Sequence, residues 1–587
     1  MASVTTADLL FDQLRQWGVS IVFGLPGDGI NGLVEALRKR QEHIQFVQVR
    51  HEEAAAFMAC GYAKFTKKLG VCLATSGPGA IHLLNGLYDA KLDGAPVLAI
   101  TGQTYHDLMG SRYQQEVDLL SLFKDVSIYN QQAMGAGQVQ SLVDGACRAA
   151  LAGSGVAHLN CPVDFQEQTL SHDESSMKQV PHHTSSSWTP PIVVPRKEDL
   201  RAAASLLNKG SKTVILAGQG ALGAGAQLEE LAERMAAPIV KPLLGKAVVP
   251  DDCPYTTGGI GLLGTLPSEL AMEECDTLLM VGTSFPYLEY YPKPGSARAT
   301  QIDLDPTRLG LRYPIEVGLT GDAKATLETL LPLIERRSDR SFLKECQSRM
   351  AEWRQLMNSQ AARTDVPLKP QVVAKQLSDL LEDDAIISVD TGTITTWAAR
   401  YLELRRGQQF SCSGTLATMA PGLPYAIAAQ LAFPSRQCVA FVGDGGFTML
   451  MGEFATAVKY RLPITVVLIK NNSLGMIKWE QMVFLGNPEY GVELHPIDFV
   501  QFAEACGGVG FRCETSDEVQ HALASALHSK LPAIVEAIVD PFEPPMPPKV
   551  SATQALHMAE SLARGQPNGG RIALTLFRNK VSDLEGK

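Results

Sequence analysis

At 587 residues the chain is too long for a single hydrophobic core, and two to four domains are expected. A hydrophobic share of 45% with 19% charged residues suits an ordinary α/β protein. The net charge of -11 excludes non-specific nucleic-acid binding, which needs a basic face, and no apolar run reaches the length of a membrane span.

The first residues, MASVTTADLLFDQLRQWGV, read as an amphipathic helix rather than a signal peptide, because they lack a basic start and a continuous apolar block. The 11 cysteines show no C-x-x-C spacing and often sit in apolar runs, as Cys72 and Cys438 do. They read as reduced core residues, so a cytoplasmic protein is expected.

Residues 1–168 alternate apolar strands (IVFGL, FVQVR, VCLAT, PVLAIT) with helical stretches, the pattern of a doubly wound parallel sheet. Two strand ends are glycine-rich: Gly24-Leu25-Pro26-Gly27-Asp28 and Ser76-Gly77-Pro78-Gly79. Between them Arg50-His51-Glu52-Glu53 opens an alanine-rich helix. An acid there is ordinarily a partner for the helix dipole, and Glu53 is read so. Residues 169–195, rich in Ser, His and Pro, form a linker in which His182-His183 reads as solvated rather than as a metal pair.

Residues 196–336 begin a second helix–strand alternation. Gly218-Gln219-Gly220 follows the strand TVILA, and Asp303 ends the strand ATQID, where a carboxylate could accept a ribose hydroxyl. Such a turn serves either a dinucleotide or merely close helix–strand packing. Residues 337–370 carry a linker helix with an apolar stripe at Phe342, Met350, Trp353 and Leu356.

Residues 371–542 hold a third alternation. The strand AIISV ends in Asp390-Thr391-Gly392-Thr393, a turn suited to phosphate. Further on, CVAFV ends in Gly443-Asp444-Gly445-Gly446, and ITVVLI ends in Asn471-Asn472-Ser473. In a parallel strand–helix–strand unit both ends lie on one sheet edge, so Asp444 and an Asn amide oxygen, both hard donors, can reach one Mg²⁺ that bridges to phosphate. GDG alone would be compatible with a bare turn. The tail, 543–587, holds two short amphipathic pieces, TQALHMAESLAR and RIALTLFRNK.

The GDGG…NN spacing resembles the diphosphate–metal motif of thiamine-diphosphate enzymes. The runs FGLPGD, RHEEAAAFMACGYA and TSGPGAIHLLNGLYDA resemble the pyrimidine-binding domain of the pyruvate oxidase and acetohydroxyacid synthase group. The resemblance spans the chain in order and implies three α/β domains: pyrimidine-binding (1–168), FAD-binding (196–336) and diphosphate-binding (371–542). It implies that Glu52 shares a proton with the coenzyme's aminopyrimidine, which favours the tautomer that generates the nucleophilic ylid. Gly27, Gly392, Thr393, Ala417, Thr418, Met419, Gly443, Asp444, Gly445, Gly446, Asn471, Ser473, Leu474, Gly475 and Met476 would then line thiamine diphosphate. Met419 would prop its bent shape, and Asp444, Asn471 and Ser473 would hold the metal. The runs GGIGLLGTLPSE, VGTSFPYLEYYP and QIDLDPTRLG are similar to the FAD-binding domain of pyruvate oxidases. They implicate Gly218, Gly220, Gly261, Leu262, Leu263, Gly264, Thr283, Ser284, Phe285, Pro286, Tyr287 and Asp303. His82 and Gln115 match polar residues lining the substrate pocket, and Glu480 matches an acidic residue of the phosphate-using oxidases; all three are expected to be catalytic.

The implied reaction is oxidative decarboxylation of pyruvate or a related 2-keto acid, with electrons passing to FAD and on to quinone or oxygen. Two departures bear on it: Gln114 stands where the family usually has Phe, and Met476 where quinone-linked members carry a mobile Phe. Both alternatives therefore stay open: an acetolactate-type carboligase with idle FAD, and a non-catalytic cofactor-binding homologue. The family further implies at least a homodimer, with a tetramer expected, because Glu52 of one subunit meets the diphosphate site of another. In quinone-linked members the tail attaches to membrane. Here docking on its own or a neighbouring subunit is the preferred expectation over peripheral attachment.

Overall fold

Short runs of β-branched residues, each closed by a glycine or small polar residue, become strands of three six-stranded parallel sheets in the computed structural model, which describes residues 4–169, 178–180 and 183–585. The first sheet holds β1 (Ile21–Gly24), β2 (Gln45–Gln48), β3 (Gly70–Ala74), β4 (Val97–Gln103), β5 (Tyr129–Gln132) and β6 (Val156–Pro162) in the order β2-β1-β3-β4-β6-β5. The second holds β7 (Thr213–Ala217), β8 (Ile239–Lys241), β9 (Thr256–Gly259), β10 (Thr277–Val281), β11 (Arg298–Asp303) and β12 (Val317–Thr320) in the order β12-β11-β10-β7-β8-β9. The third holds β13 (Ile386–Val389), β14 (Gln409–Cys412), β15 (Cys438–Gly443), β16 (Thr465–Lys470), β17 (Val509–Cys513) and β18 (Ala533–Ile538) in the order β14-β13-β15-β16-β18-β17.

The first and third sheets thus share one topology, and the middle sheet has the strand order of dinucleotide-binding folds. Strand order reverses between β1 and β3, between β7 and β10, and between β13 and β15. At such points the connecting turns part and leave a crevice beyond the carboxyl ends of the strands. Every glycine-rich turn singled out above follows one of these strands or β16.

Helix α1 (Glu52–Thr66) is alanine-rich because it is enclosed on nearly all sides. It packs on α4 (Gly422–Ala432), which joins the first and third domains through one apolar core that includes Phe57, Tyr425 and Ala426. Two further helices lie apart from that joint: α2 (Ser341–Ala361), whose Phe342 and Cys346 pack in the middle-domain core and whose Met357 packs in the third, and α3 (Thr393–Tyr401), within the third-domain core. Of the expected stripe on α2, Phe342 is buried, while Met350, Trp353 and Leu356 are half-buried.

A polar cluster is sealed inside that joint. Lys64 Nζ donates to Asp93 Oδ2 at 2.7 Å, to the Cys412 carbonyl at 2.9 Å and to Tyr425 Oη at 2.7 Å. Asp89 stands 3.6 Å from the same ammonium and accepts from the Tyr425 hydroxyl. Burial alone would lower the Lys64 pKa, but the two carboxylates hold it above the usual lysine range. Burial raises Asp89. Asp93 is pulled the other way: burial opposes, but Lys64 and the Gly414 and Thr415 amides keep it below the ordinary range.

All eleven cysteines are free, and all but Cys506 are buried. Among the described residues no helix is long and apolar enough to cross a membrane. Of the linker histidines, His182 lies outside the described residues; His183 is exposed and its Nδ1 lies 2.8 Å from the Val180 carbonyl. The tail forms α5 (Ala552–Ala563) and α6 (Gly569–Glu585), whose Met558 and Ile572 pack on Trp479, Met482 and Val483. Leu556 and Leu574 are exposed, while Leu576 packs partly against the same cluster.

Candidate active site

The third sheet builds its edge from three turns. After β13, Gly392 takes a φ of 128° to start α3, and nothing lies within 4 Å of where a side chain would project. After β15, Asp444 opens a short helix (Asp444–Met449); its Oδ1 accepts from the Gly445 amide at 3.0 Å and its Oδ2 from the Asn472 amide at 2.7 Å. After β16, Asn471 Oδ1 accepts from the Ser473 amide at 3.0 Å, and Asn472 holds a left-handed φ of 54°. Gly443 also faces open space. The carboxyl of Asp444 is pushed up to about 6 by burial.

This arrangement fits a diphosphate carried on a divalent cation. The donors are hard oxygens, two glycines leave backbone exposed to the crevice, and among the described residues the buried carboxyl has no compensating cation. Residues that hold the group would be Asp444, Asn471 and Ser473 for the metal, with Gly392, Thr393 and Gly443 beside the phosphates.

Beneath the floor sits a residue that motif reading treated only as part of a turn. Asp390 is buried, and its Oδ1 accepts from the Thr391 amide at 2.7 Å and the Ala420 amide at 2.9 Å. Burial raises its carboxyl to about 7, and its Oδ2 has no hydrogen-bond partner among the described residues. A β-carbon on Gly446 would fall 2.6 Å from that oxygen, so the last glycine of GDGG is fixed by Asp390.

Met419 lies on a loop anchored from the first domain. Asp93 accepts from the Gly414 amide at 2.9 Å and the Thr415 amide at 2.8 Å, and Asn85 donates to Thr418 Oγ1 at 3.1 Å. Ala417 and Ala420 both take left-handed φ angles, 53° and 87°, which turn the loop back toward the crevice. The Asp93 and Asn85 anchors could not be found from motifs, since neither belongs to a glycine-rich turn.

In the middle domain the turns after β7 and β10 interlock. Gly218 and Gly220 approach Gly282 and Thr283 so closely that any side chain would clash. Asp303, at the end of β11, is buried and its carboxyl is raised by burial. Phe285 is held among Tyr287, Tyr290 and Tyr291.

These two edges open into one cavity of about 1520 Å³. Its lining brings together Gly392, Thr393, Ala417, Met419, Gly443, Asp444, Gly445, Gly446, Asn471, Ser473, Leu474, Gly475, Met476 and Glu480 with Gly218, Gly220, Gly261, Leu262, Leu263, Thr283, Ser284, Phe285, Pro286, Tyr287 and Asp303. Thr418 and Gly264 stand just behind this wall: Thr418 turns its hydroxyl to Asn85 and the Met419 carbonyl, and the Gly264 carbonyl accepts from Arg400 at 3.2 Å.

Glu52, His82, Gln115 and Gly27 do not line that cavity; they form a separate group on the first sheet's edge. Glu52 is buried, and its Oε2 lies 3.0 Å from His82 Nδ1. Its Oε1 sits beneath Gly79, 3.0 Å from where a β-carbon would be. His51 caps α1 by accepting from the Glu53 amide at 3.2 Å and stacks on His82 at 4.4 Å. The Arg50 and His51 amides in turn donate to Glu453 of the third domain at 2.8 and 3.0 Å. Gln115 holds a left-handed φ of 60° and accepts from Ser76 Oγ at 3.1 Å. Gly27 packs on Thr75, and its carbonyl opens the next turn by accepting from the Ile30 amide at 3.1 Å.

Comparison with known proteins finds three matched segments. Residues 4–122 match the N-terminal TPP binding domain of thiamine pyrophosphate enzymes, residues 200–330 the central domain, and residues 390–537 the C-terminal TPP binding domain. The chain is 44% identical to a putative thiamine pyrophosphate-containing protein, YdaP, of Bacillus subtilis (strain 168), over 94% of this chain and 95% of the relative. It is 34% identical to a pyruvate oxidase of Lactiplantibacillus plantarum, over 88% of this chain and 85% of that one. It is 30% identical to a probable acetolactate synthase large subunit of Methanococcus aeolicus, over 90% and 91%.

Proposed function

The chain belongs to the thiamine pyrophosphate enzymes, in the superfamily of acetohydroxyacid synthase, and on that premise we propose that it oxidatively decarboxylates pyruvate or a related 2-keto acid. It would use thiamine diphosphate, Mg²⁺ and FAD, with electrons leaving to a quinone or oxygen. The observation that carries this reading is the continuity of the cavity. A diphosphate edge and a dinucleotide-type edge share one space of about 1520 Å³, above the range of about 300–1,000 Å³ for a single small-molecule site.

When bound, thiamine diphosphate supplies an electron sink for decarboxylation and FAD a two-electron acceptor. The protein's part is positional. Asp444, Asn471 and Ser473 hold the cation, Met419 buttresses the coenzyme from a loop braced by Asp93, and Asp303 is placed for a ribose hydroxyl. Glu52 exchanges a proton through Oε1, while its Oε2 is fixed by His82. Because Glu52 lies off the cavity, a second copy of the chain is needed to bring the two half-sites together, so a homodimer is the smallest competent unit and a tetramer its natural extension. The three domains of this reading span 1–168, 196–336 and 371–542.

A second reading has a specific observation behind it. Met476, an aliphatic residue, lines the cavity where flavin-linked relatives resembled here carry an aromatic, which favours acetolactate formation with idle FAD. Anaerobic addition of pyruvate separates the two. Bleaching of the flavin absorption supports oxidation; accumulation of acetolactate with the flavin still yellow supports carboligation.

A further inference from the structure

Lys67 ends helix α1 in a left-handed conformation, φ 60° and ψ 18°, with its amide donating to the Ala63 carbonyl at 2.9 Å. Glycine adopts that conformation freely, and a side chain there carries a steric cost. A cation near a helix C-terminus is favoured by the helix dipole, yet the adjacent Lys68 could supply one without the strain. What distinguishes Lys67 is its position. It lines the same cavity as the Gly218–Gly220 turn, together with Asp93, Gly94, Ser154 and Gln219. Gln219 Nε2 donates to the Asp93 carbonyl at 3.1 Å, so the first domain is tied directly to the turn at which the middle sheet's strand order reverses.

The ammonium of Lys67 has no carboxylate partner among the described residues. Asp89 and Asp93 are committed to Lys64, at 3.6 and 2.7 Å. The side chain is accessible, while the enclosing walls and then the charge of Lys64 hold its pKa below the usual lysine range. An uncompensated cation that lines one cavity with a glycine turn of this kind can serve phosphate oxygens as a receptor.

We infer that Lys67 is an anion-binding residue through which the first domain completes the middle-domain nucleotide pocket, pairing with the diphosphate of a dinucleotide or of a nucleoside diphosphate. The inference rests on the reading of this cavity as a nucleotide site and adds a residue from outside the nucleotide-binding fold. It also makes nucleotide occupancy a clamp between two domains.

The test uses the full-length protein and two probes, ADP and FAD, with binding followed by calorimetry at low and high salt. Lys67→Gly removes the charge and also the left-handed strain, so its thermal midpoint should equal or exceed that of the wild type. Expected is binding of both probes weakened about tenfold, the effect of losing one charge-assisted contact, with a smaller salt dependence and with affinity restored in Lys67→Arg. Wild-type affinity and salt dependence in Lys67→Gly would overturn the inference while leaving the flavin reading intact. Binding of ADP without FAD, still dependent on Lys67, would uphold the inference and refute the flavin reading. A wild-type protein that takes neither probe would overturn both.

Discussion

Replacing Lys64 with Met strands two carboxylates inside the joint between the first and third domains. In the native cluster the ammonium meets Asp93 at 2.7 Å, Tyr425 at 2.7 Å and the Cys412 carbonyl at 2.9 Å, with Asp89 at 3.6 Å. Breaking a buried pair by removing one partner costs about 3–5 kcal/mol, because the remaining charge has neither water nor counterion. The stranded acids relieve that penalty by taking up protons, so in the variant their folded pKa values lie above the unfolded ones. The sign follows: the folded variant binds more protons than its unfolded chain, and its stability rises as pH falls from 7 toward 5. Urea unfolding across that range should show a steeper slope in Lys64→Met than in wild type, where the raised carboxyls of Asp390 and Asp444 already give a slope of the same sign. Adding Asp93→Asn should recover part of the loss. It should not recover the coenzyme, because Asp93 also accepts from the Gly414 and Thr415 amides that brace the Met419 loop. A loss below about 1 kcal/mol, or a pH profile in Lys64→Met no steeper than that of the wild type, would refute the reasoning.

Three further perturbations test other parts of the structure. Gly446→Ala places a β-carbon 2.6 Å from Asp390 Oδ2; a cost of about 1–3 kcal/mol and weaker thiamine diphosphate retention on gel filtration are expected. Arg400 spends its guanidinium on the Leu262, Gly264 and Met546 carbonyls at 3.0, 3.2 and 2.7 Å; Arg400→Met should expose residues 543–587 to limited proteolysis and loosen flavin binding together. Buried His158, between Thr101 and Asn130, is held down at about 3 by burial. The unfolded chain protonates it first, so it contributes stability that is complete above the unfolded value and lost as pH falls from about 6.5 to 3; His158→Gln should flatten that part of the acid-unfolding curve.

Much of this fold could be read from the chain because its central strands are continuous apolar runs ending in glycine or, after ITVVLI, in a turn of asparagines. TVILA, TLLMV, CVAFV and ITVVLI each became a central strand. Strands that sequence reading passed over break the pattern for physical reasons. β18, AIVEAI, is buried but carries Glu536, which Lys470 and Arg512 neutralise from neighbouring elements at 2.7 and 2.9 Å. β6 carries His158 and Asn160, and β5, YNQQ, is a polar edge. The diphosphate edge was legible for the same reason as the strands: each turn is local and follows directly from its strand. Asp390, Asp93, Asn85 and Lys67 were not, because their roles arise only where distant segments meet. The tail was legible as two amphipathic pieces, whereas their seating on Trp479, Met482 and Val483 depends on a surface that no periodicity describes.

The claim on which everything else depends is that Glu52 and Asp444 serve one reaction from two copies of the chain. Co-expression of Glu52→Gln with Asp444→Ala tests it, since each variant alone should be inactive. In a mixed dimer one site receives both defects and the other receives none. With random pairing, about one quarter of wild-type 2-keto acid decarboxylation should return. Mixed dimers that form, as shown by differently tagged chains, but remain as inactive as the parents would contradict the shared site.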